Sequence, residues 1–136
     1  MGQIYAEITL INTCDLALVK RKLIPESDVK QMTVNALVDT GVFILTISAT
    51  IKRQLDLEVM ELREIKLVDG SRIECEIAGP IEVCFKTRRI TCSAVVLPGV
   101  TEVVLGALLL EWMDVIIDLE NQELTLPPDR PRIKIK

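Results

Sequence analysis

Residues 36–48 read "ALVDTGVFILTIS". One carboxylate, Asp39, interrupts a run that is otherwise almost wholly apolar. An ionised Asp isolated among such neighbours would suffer a large desolvation cost, so it must be hydrogen-bonded, paired or partly protonated. Gly41 allows a tight backbone turn that aims amides at the carboxylate, and Thr40 brings a hydroxyl that can fix a loop. Two readings are open at this point. Asp39 caps the local amides of a strand-ending turn, or it is a reactive carboxylate.

The flanking pattern is that of strands. "TVNALVDTG" (33–41) reads as a strand stopping at Gly41, and "VFILTIS" (42–48) as a strand that resumes beyond it. Ser48 is placed to cap a short helix over 49–55, with Ile51 and Leu55 four apart on one face. Upstream, 3–11 alternates, with Ile4, Ala6, Ile8 and Leu10 on one face and Gln3, Tyr5, Glu7 and Thr9 on the other. Residues 16–18 and 23–24 fit the strands of a hairpin tipped by "PESD", with a helix over 16–24 as the alternative. Asp69-Gly70 turns a hairpin over 63–79, because this dipeptide accepts the positive φ of tight turns. A second hairpin (81–85 and 90–97) turns through "KTRR", and a third (114–126) at Glu120-Asn121-Gln122. Between them lie a short buried strand at 103–105, ended by Gly106, and a short helix at 107–113. Short strands with frequent turn signals and two short helices indicate an all-β fold, a barrel or a sandwich.

The chain has 136 residues, enough for one domain with its own core. Apolar residues make up 49% but aromatics only 3%, so Val, Ile and Leu must fill the interior. A net charge of −4, with basic residues only in short clusters, argues against nucleic acid as a partner. No apolar stretch is long enough to span a bilayer, and no leader-like segment opens the chain, so a cytoplasmic protein without membrane contact is expected. Cys14, Cys75, Cys84 and Cys92 contain no C-x-x-C pair and are expected to be free, half-buried thiols. Histidine is absent. That removes Ser-His-Asp and Cys-His catalysis and every His-containing zinc site. Hydrolysis by this chain must run on carboxylates, Lys, Tyr, Cys or a carboxylate-bound metal. A metal held by Asp39 with Asp69 or Asp118 is disfavoured by their spacing, since hard cations need several convergent oxygens.

"ALVDTG" resembles the active-site strand and loop of retropepsin-like (retroviral-type) aspartic proteases, and features further along occur in the order of that family. "VDGS" (68–71) tips a hairpin where the family has its flap. "IEVCFKTRRITCSAVVLPGVTEVVLGALLL" (81–110) resembles its later strands, Pro-Gly loop, apolar-apolar-Gly signature and terminal helix. "DVIIDLENQELTL" resembles its closing strands. The likeness covers 1–126, with 127–136 left as a tail, either edge strand or disordered. It looks closest to small stand-alone prokaryotic members, which begin with a strand like "GQIYAEITLIN".

The resemblance implies a small closed barrel with a flap hairpin and one or two short helices. It also implies peptide-bond hydrolysis by a water activated between two Asp39 carboxylates of a homodimer. Asp39, Thr40 and Gly41 would be catalytic; Val42, Phe43, Val68, Asp69, Gly70 and Ser71 would bind the peptide or protein substrate. No cofactor or metal is called for. The sequence departs from the family's pattern at Val42 and Phe43, where a small and then a polar residue are usual. Val42 adds bulk and Phe43 removes a hydrogen-bonding group, which bears on substrate binding more than on proton transfer. The alternative is therefore a catalytically inactive dimer of the same fold that binds an extended peptide or partner protein. Trp112 is expected to pack its helix, with Glu111 and Asp114 facing water.

Overall fold

The structure, a computed structural model, describes residues 2–128. Strand β1 (Ile4–Asn12) pairs antiparallel with β2 (Gln31–Val38), setting Ile4, Ala6, Ile8 and Leu10 opposite Val38, Ala36, Val34 and Met32. Those eight side chains face inward, since residues directly opposite share a face and faces alternate along a strand. β3 (Leu45–Ile47), β5 (Arg72–Phe85), β6 (Arg88–Val96) and β7 (Val104–Leu105) complete a ring in the order β1-β2-β7-β3-β6-β5. β5 returns to pair with β1, so the six-stranded barrel closes. Closure removes the exposed edges that an open sheet of these apolar strands would present. Ile8, Leu10, Leu45, Ile47, Ile81, Val83 and Leu105 fill the interior and are all but inaccessible to water. Branched aliphatics thus do the filling in a chain with few aromatics.

Strand β4 (Glu58–Lys66) lies outside the ring. It pairs only with the first half of β5, and the β4–β5 hairpin projects from the barrel with nearly all of β4 exposed. Its base is held by a small separate cluster in which Cys75, Ile77 and Val95 pack with Ile65, Ile73 and Leu97. A two-stranded ribbon, β8 (Ile116–Asp118) with β9 (Glu123–Thr125), forms a second sheet.

Among the described residues three α-helices are present rather than one or two. α2 (Ala49–Gln54) starts as expected, with the Ser48 hydroxyl accepting from the Ile51 amide at 3.1 Å and Ile51 and Leu55 buried. α3 (Ala107–Met113) follows Gly106 and buries Leu109, Leu110 and Met113. The third is α1 (Thr13–Lys20): the hairpin preferred over 16–24 does not form, and the alternative helix does, starting and ending earlier than read; Glu26–Asp28 form only a 3-10 turn. Asn12 explains the difference. Its side chain caps α1 by accepting from the Asp15 amide at 3.2 Å, and its amide nitrogen donates to the carbonyls of Leu55 (2.8 Å) and Asp56 (3.2 Å). This buried residue locks the start of α1 onto the end of α2. Asp15 in the first turn and Lys20 in the last also suit the helix dipole.

Strand ends differ from the expectation as well. β2 stops at Val38 rather than Gly41, and β3 begins only at Leu45 rather than Val42. The two central hairpins share one fourteen-residue strand, β5. The tail read as edge strand or disordered lies outside the described residues from 129 onward. No helix among the described residues is long and apolar enough to cross a membrane.

Candidate active site

Asp39 follows β2 on the face that carries Thr33, Asn35 and Leu37, opposite to the core face of Ala36 and Val38. Alternation along β2 resolves the puzzle of a carboxylate in an apolar run: Val34, Ala36 and Val38 pack on the core, and the same period sets Asp39 on the other face. The side chain is half-buried there. Its Oδ1 accepts from the Gly41 amide at 2.9 Å, and its carbonyl accepts from the Val42 amide at 3.2 Å, closing a turn with Thr40 and Gly41 at its centre. Among the described residues Oδ2 accepts no hydrogen bond. The capping reading and the reactive reading of Asp39 are therefore compatible, because one oxygen closes the turn and the other is left over.

Strand β7 and helix α3 hold this loop from behind. The Asp39 amide donates to the Leu105 carbonyl (3.1 Å) and the Leu37 amide to the Val103 carbonyl (2.8 Å). Beyond the turn, the amides of Ala107 and Leu108 donate to the carbonyls of Val42 (2.6 Å) and Phe43 (3.1 Å). These are among the first amides of α3, which have no partner within the helix. They take carbonyls that a strand ladder would otherwise use, which is why 42–44 is not strand. They also supply the backbone anchoring that Phe43's side chain lacks. The two chains meet so closely that a Cβ on Gly106 would come within 2.6 Å of the Val42 carbonyl oxygen.

Phe43 is freed by this arrangement. Its ring is 75% exposed, and Ile44, Leu108 and Trp112 are also exposed beside it. The expectation that Trp112 packs its helix is overturned: α3 turns Leu109, Leu110 and Met113 inward, which leaves Trp112 on the flank of that face, 63% exposed. Phe43, Ile44, Leu108 and Trp112 line an open cavity of about 260 Å³ together with Glu61 and Arg63 of β4. Thr40 is exposed and shares a shallower depression with Phe43 and Glu111.

Val68, Asp69, Gly70 and Ser71 form the tip of the β4–β5 hairpin. The Gly70 amide donates to the Leu67 carbonyl (2.9 Å), and Gly70 takes the positive φ of 87° that the turn requires. Asp69 accepts from both the hydroxyl and the amide of Ser71, and these bonds hold its carboxyl below the usual range. Val68 is wholly exposed at the apex. The structure brings Phe43 together with the base of this hairpin; the tip residues line none of the cavities described. Asp118 is likewise engaged, accepting from the backbone and side-chain amides of Asn121 to close the β8–β9 turn.

One polar pair near this face has no sequence signal. Tyr5 lies opposite Leu37 on β1, and its hydroxyl donates to Glu102 at 2.8 Å; that bond raises the phenol's pKa above its ordinary value. It ties the loop before β7 to the strand that flanks Asp39, across 97 residues of sequence.

No family model and no curated protein matches this chain. A solved structure that does resemble it is the retroviral protease-like domain of Ddi1 from Leishmania major. The two are 18% identical, the match covers 95% of this chain and 91% of that one, and the TM-score is 0.58. The likeness shows the fold: this chain is a retropepsin-like barrel.

Proposed function

We propose that the protein is an aspartic-type endopeptidase whose active site is completed by a second copy of the chain. The observation that carries this reading is the setting of Asp39 in the loop after β2 of a retropepsin-like barrel, with Oδ1 fixed by Gly41 and Oδ2 accepting no hydrogen bond among the described residues. Asp69 and Asp118 are committed to their own turns, so the second carboxylate is supplied by Asp39 of another copy across a two-fold axis. Two facing carboxylates share one proton, and their titration belongs to the pair. The ionised one takes a proton from water as the oxygen attacks the scissile carbonyl, and the protonated one donates to the carbonyl oxygen. Collapse of the tetrahedral intermediate returns a proton to the leaving amine. The β8–β9 ribbon, whose outer edges pair with no further strand among the described residues, and its exposed Ile116 and Leu119 support assembly between copies. The hairpin tip at 68–71 would close over an extended substrate.

The test is digestion of an unfolded-peptide library at mildly acid to neutral pH, with and without pepstatin, beside Asp39→Asn. Cleavage that pepstatin and Asp39→Asn both abolish is expected; cleavage surviving Asp39→Asn would remove the reading. A second reading, a dimer that binds an extended peptide without cutting it, is favoured by the exposed ring of Phe43. Any turnover that depends on Asp39 overturns it.

A further inference from the structure

A very short strand carries the backbone seat of Asp39. β7 has two residues, Val104 and Leu105, paired with Leu37 and Val38 of β2 on one side and with Thr46 of β3 on the other. The Leu105 carbonyl takes the Asp39 amide, and the Val103 carbonyl just before β7 takes the Leu37 amide. Where these two carbonyls stand therefore decides where the Asp39 turn stands. So short a ladder opens easily by itself, and the loop that feeds it then matters. That loop, residues 98–102, is exposed except at Val100, which is half-buried. Among the described residues its one side-chain hydrogen bond to the barrel is the one from the Tyr5 hydroxyl to Glu102 (2.8 Å).

The hydroxyl has a single proton to give, and Gln3 Oε1 competes for it at 3.1 Å. The carboxylate is nearer and charged, so it takes the proton. Tyr5 is itself well placed to hold the loop, because β1 sets it opposite Leu37, the residue whose amide bonds to Val103. The contacts close a ring from Tyr5 through Leu37 and Val103 to Glu102 and back to Tyr5. We propose that Tyr5 and Glu102 are positioning residues for Asp39, their bond fixing the loop before β7 and through it the two carbonyls that seat the Asp39 turn. Neither side chain acts on the reacting atoms. What the ring requires at 102 is an acceptor rather than a charge, and at 5 a donor. The effect on turnover rests on reading Asp39 as catalytic; the mechanical coupling does not.

The test compares the full-length wild type with Tyr5→Phe, Glu102→Ala, Glu102→Gln and the double variant Tyr5→Phe/Glu102→Ala. Amide hydrogen exchange is read residue by residue, and cleavage of the unfolded-peptide library is read beside it. Tyr5→Phe keeps the ring and Glu102 is exposed, so the barrel is expected to fold in every case. Exchange at the Leu37 and Asp39 amides should rise about fivefold in Tyr5→Phe and in Glu102→Ala, the loss of one hydrogen bond of ordinary net strength. Amides of the β5–β6 pairing should keep their wild-type rates. Glu102→Gln, which retains an acceptor oxygen, should stay closer to the wild type than to Glu102→Ala. The double variant should go no further than either single one, as expected for two ends of one bond. Turnover should fall in the same ranking with KM unchanged. Unaltered exchange at Leu37 and Asp39 in both single variants would overturn the proposal. So would additive effects in the double variant, or Glu102→Gln as damaging as Glu102→Ala. A wild type that cleaves nothing while the exchange ranking holds removes the protease reading and leaves the coupling; cleavage with all variants exchanging alike does the reverse.

Discussion

Gly106 has no room for a side chain. The backbone of 42–44 crosses it so closely that even a methyl group must push the Asp39 loop away from α3. Gly106→Ala is expected to destabilise the fold by about 1–3 kcal/mol, the range for inserting a methyl group into a packed site, and to lower any Asp39-dependent activity disproportionately. Denaturant unfolding set beside turnover checks this; wild-type values in both would mean the loop does not need α3. The cysteines make a second case. Cys14 is exposed, Cys75 is buried, and Cys84 and Cys92 are intermediate, so the expected half-burial holds for two of the four. Desolvation pushes the Cys92 thiol up to about 11 and raises those of Cys75 and Cys84. The thiolate is the reactive form, so an alkylating agent at neutral pH should label Cys14 first and Cys92 slowly. Peptide mass mapping over time reads the order, and early loss of Cys92 would contradict its burial. At this scale the tight turn at Asp39, Thr40 and Gly41 was legible from sequence because its signal is local. Glu102 and Asn12 were not, since each acts through partners distant in the chain.

The β4–β5 hairpin carries a pH dependence at its tip. Asp69 has its pKa lowered first by the Ser71 hydroxyl and then by the Ser71 amide. A lowered folded pKa means the contribution is present above the ordinary carboxylate range and lost as pH falls through the lowered value. The hairpin tip should therefore keep its order in mildly acid solution and loosen only at strongly acid pH. The Ser71 amide resonance followed from neutral pH downwards measures this; a transition at or above the ordinary Asp range would contradict it. Elements with a local signature were readable: Asp69-Gly70 marked the hairpin turn, Ser48 capped α2, and the span of α3 was met to the residue. Helix α1 was misread because "LALVKRKL" suits strand and helix alike, and the decision was made by Asn12 reaching α2. The 42–44 segment was misread as strand because its carbonyls go to α3, a tertiary choice that apolar content cannot reveal.

The described residues form a closed six-stranded barrel with a projecting hairpin, a two-stranded ribbon that packs Leu124 onto the core, and a carboxylate loop after β2. Period-two alternation made the barrel wall legible, since the inward residues of β1 are those the pattern selects. The proposed assembly is a property of two chains, in which each active site would take one Asp39 from each. Mixing wild-type protein with Asp39→Asn under conditions of subunit exchange tests this most directly. In an equal mixture, activity per total chain should fall to about one quarter of the wild-type value, because only dimers with two intact carboxylates work. A fall to about one half would mean that each chain acts alone, and would contradict the shared site.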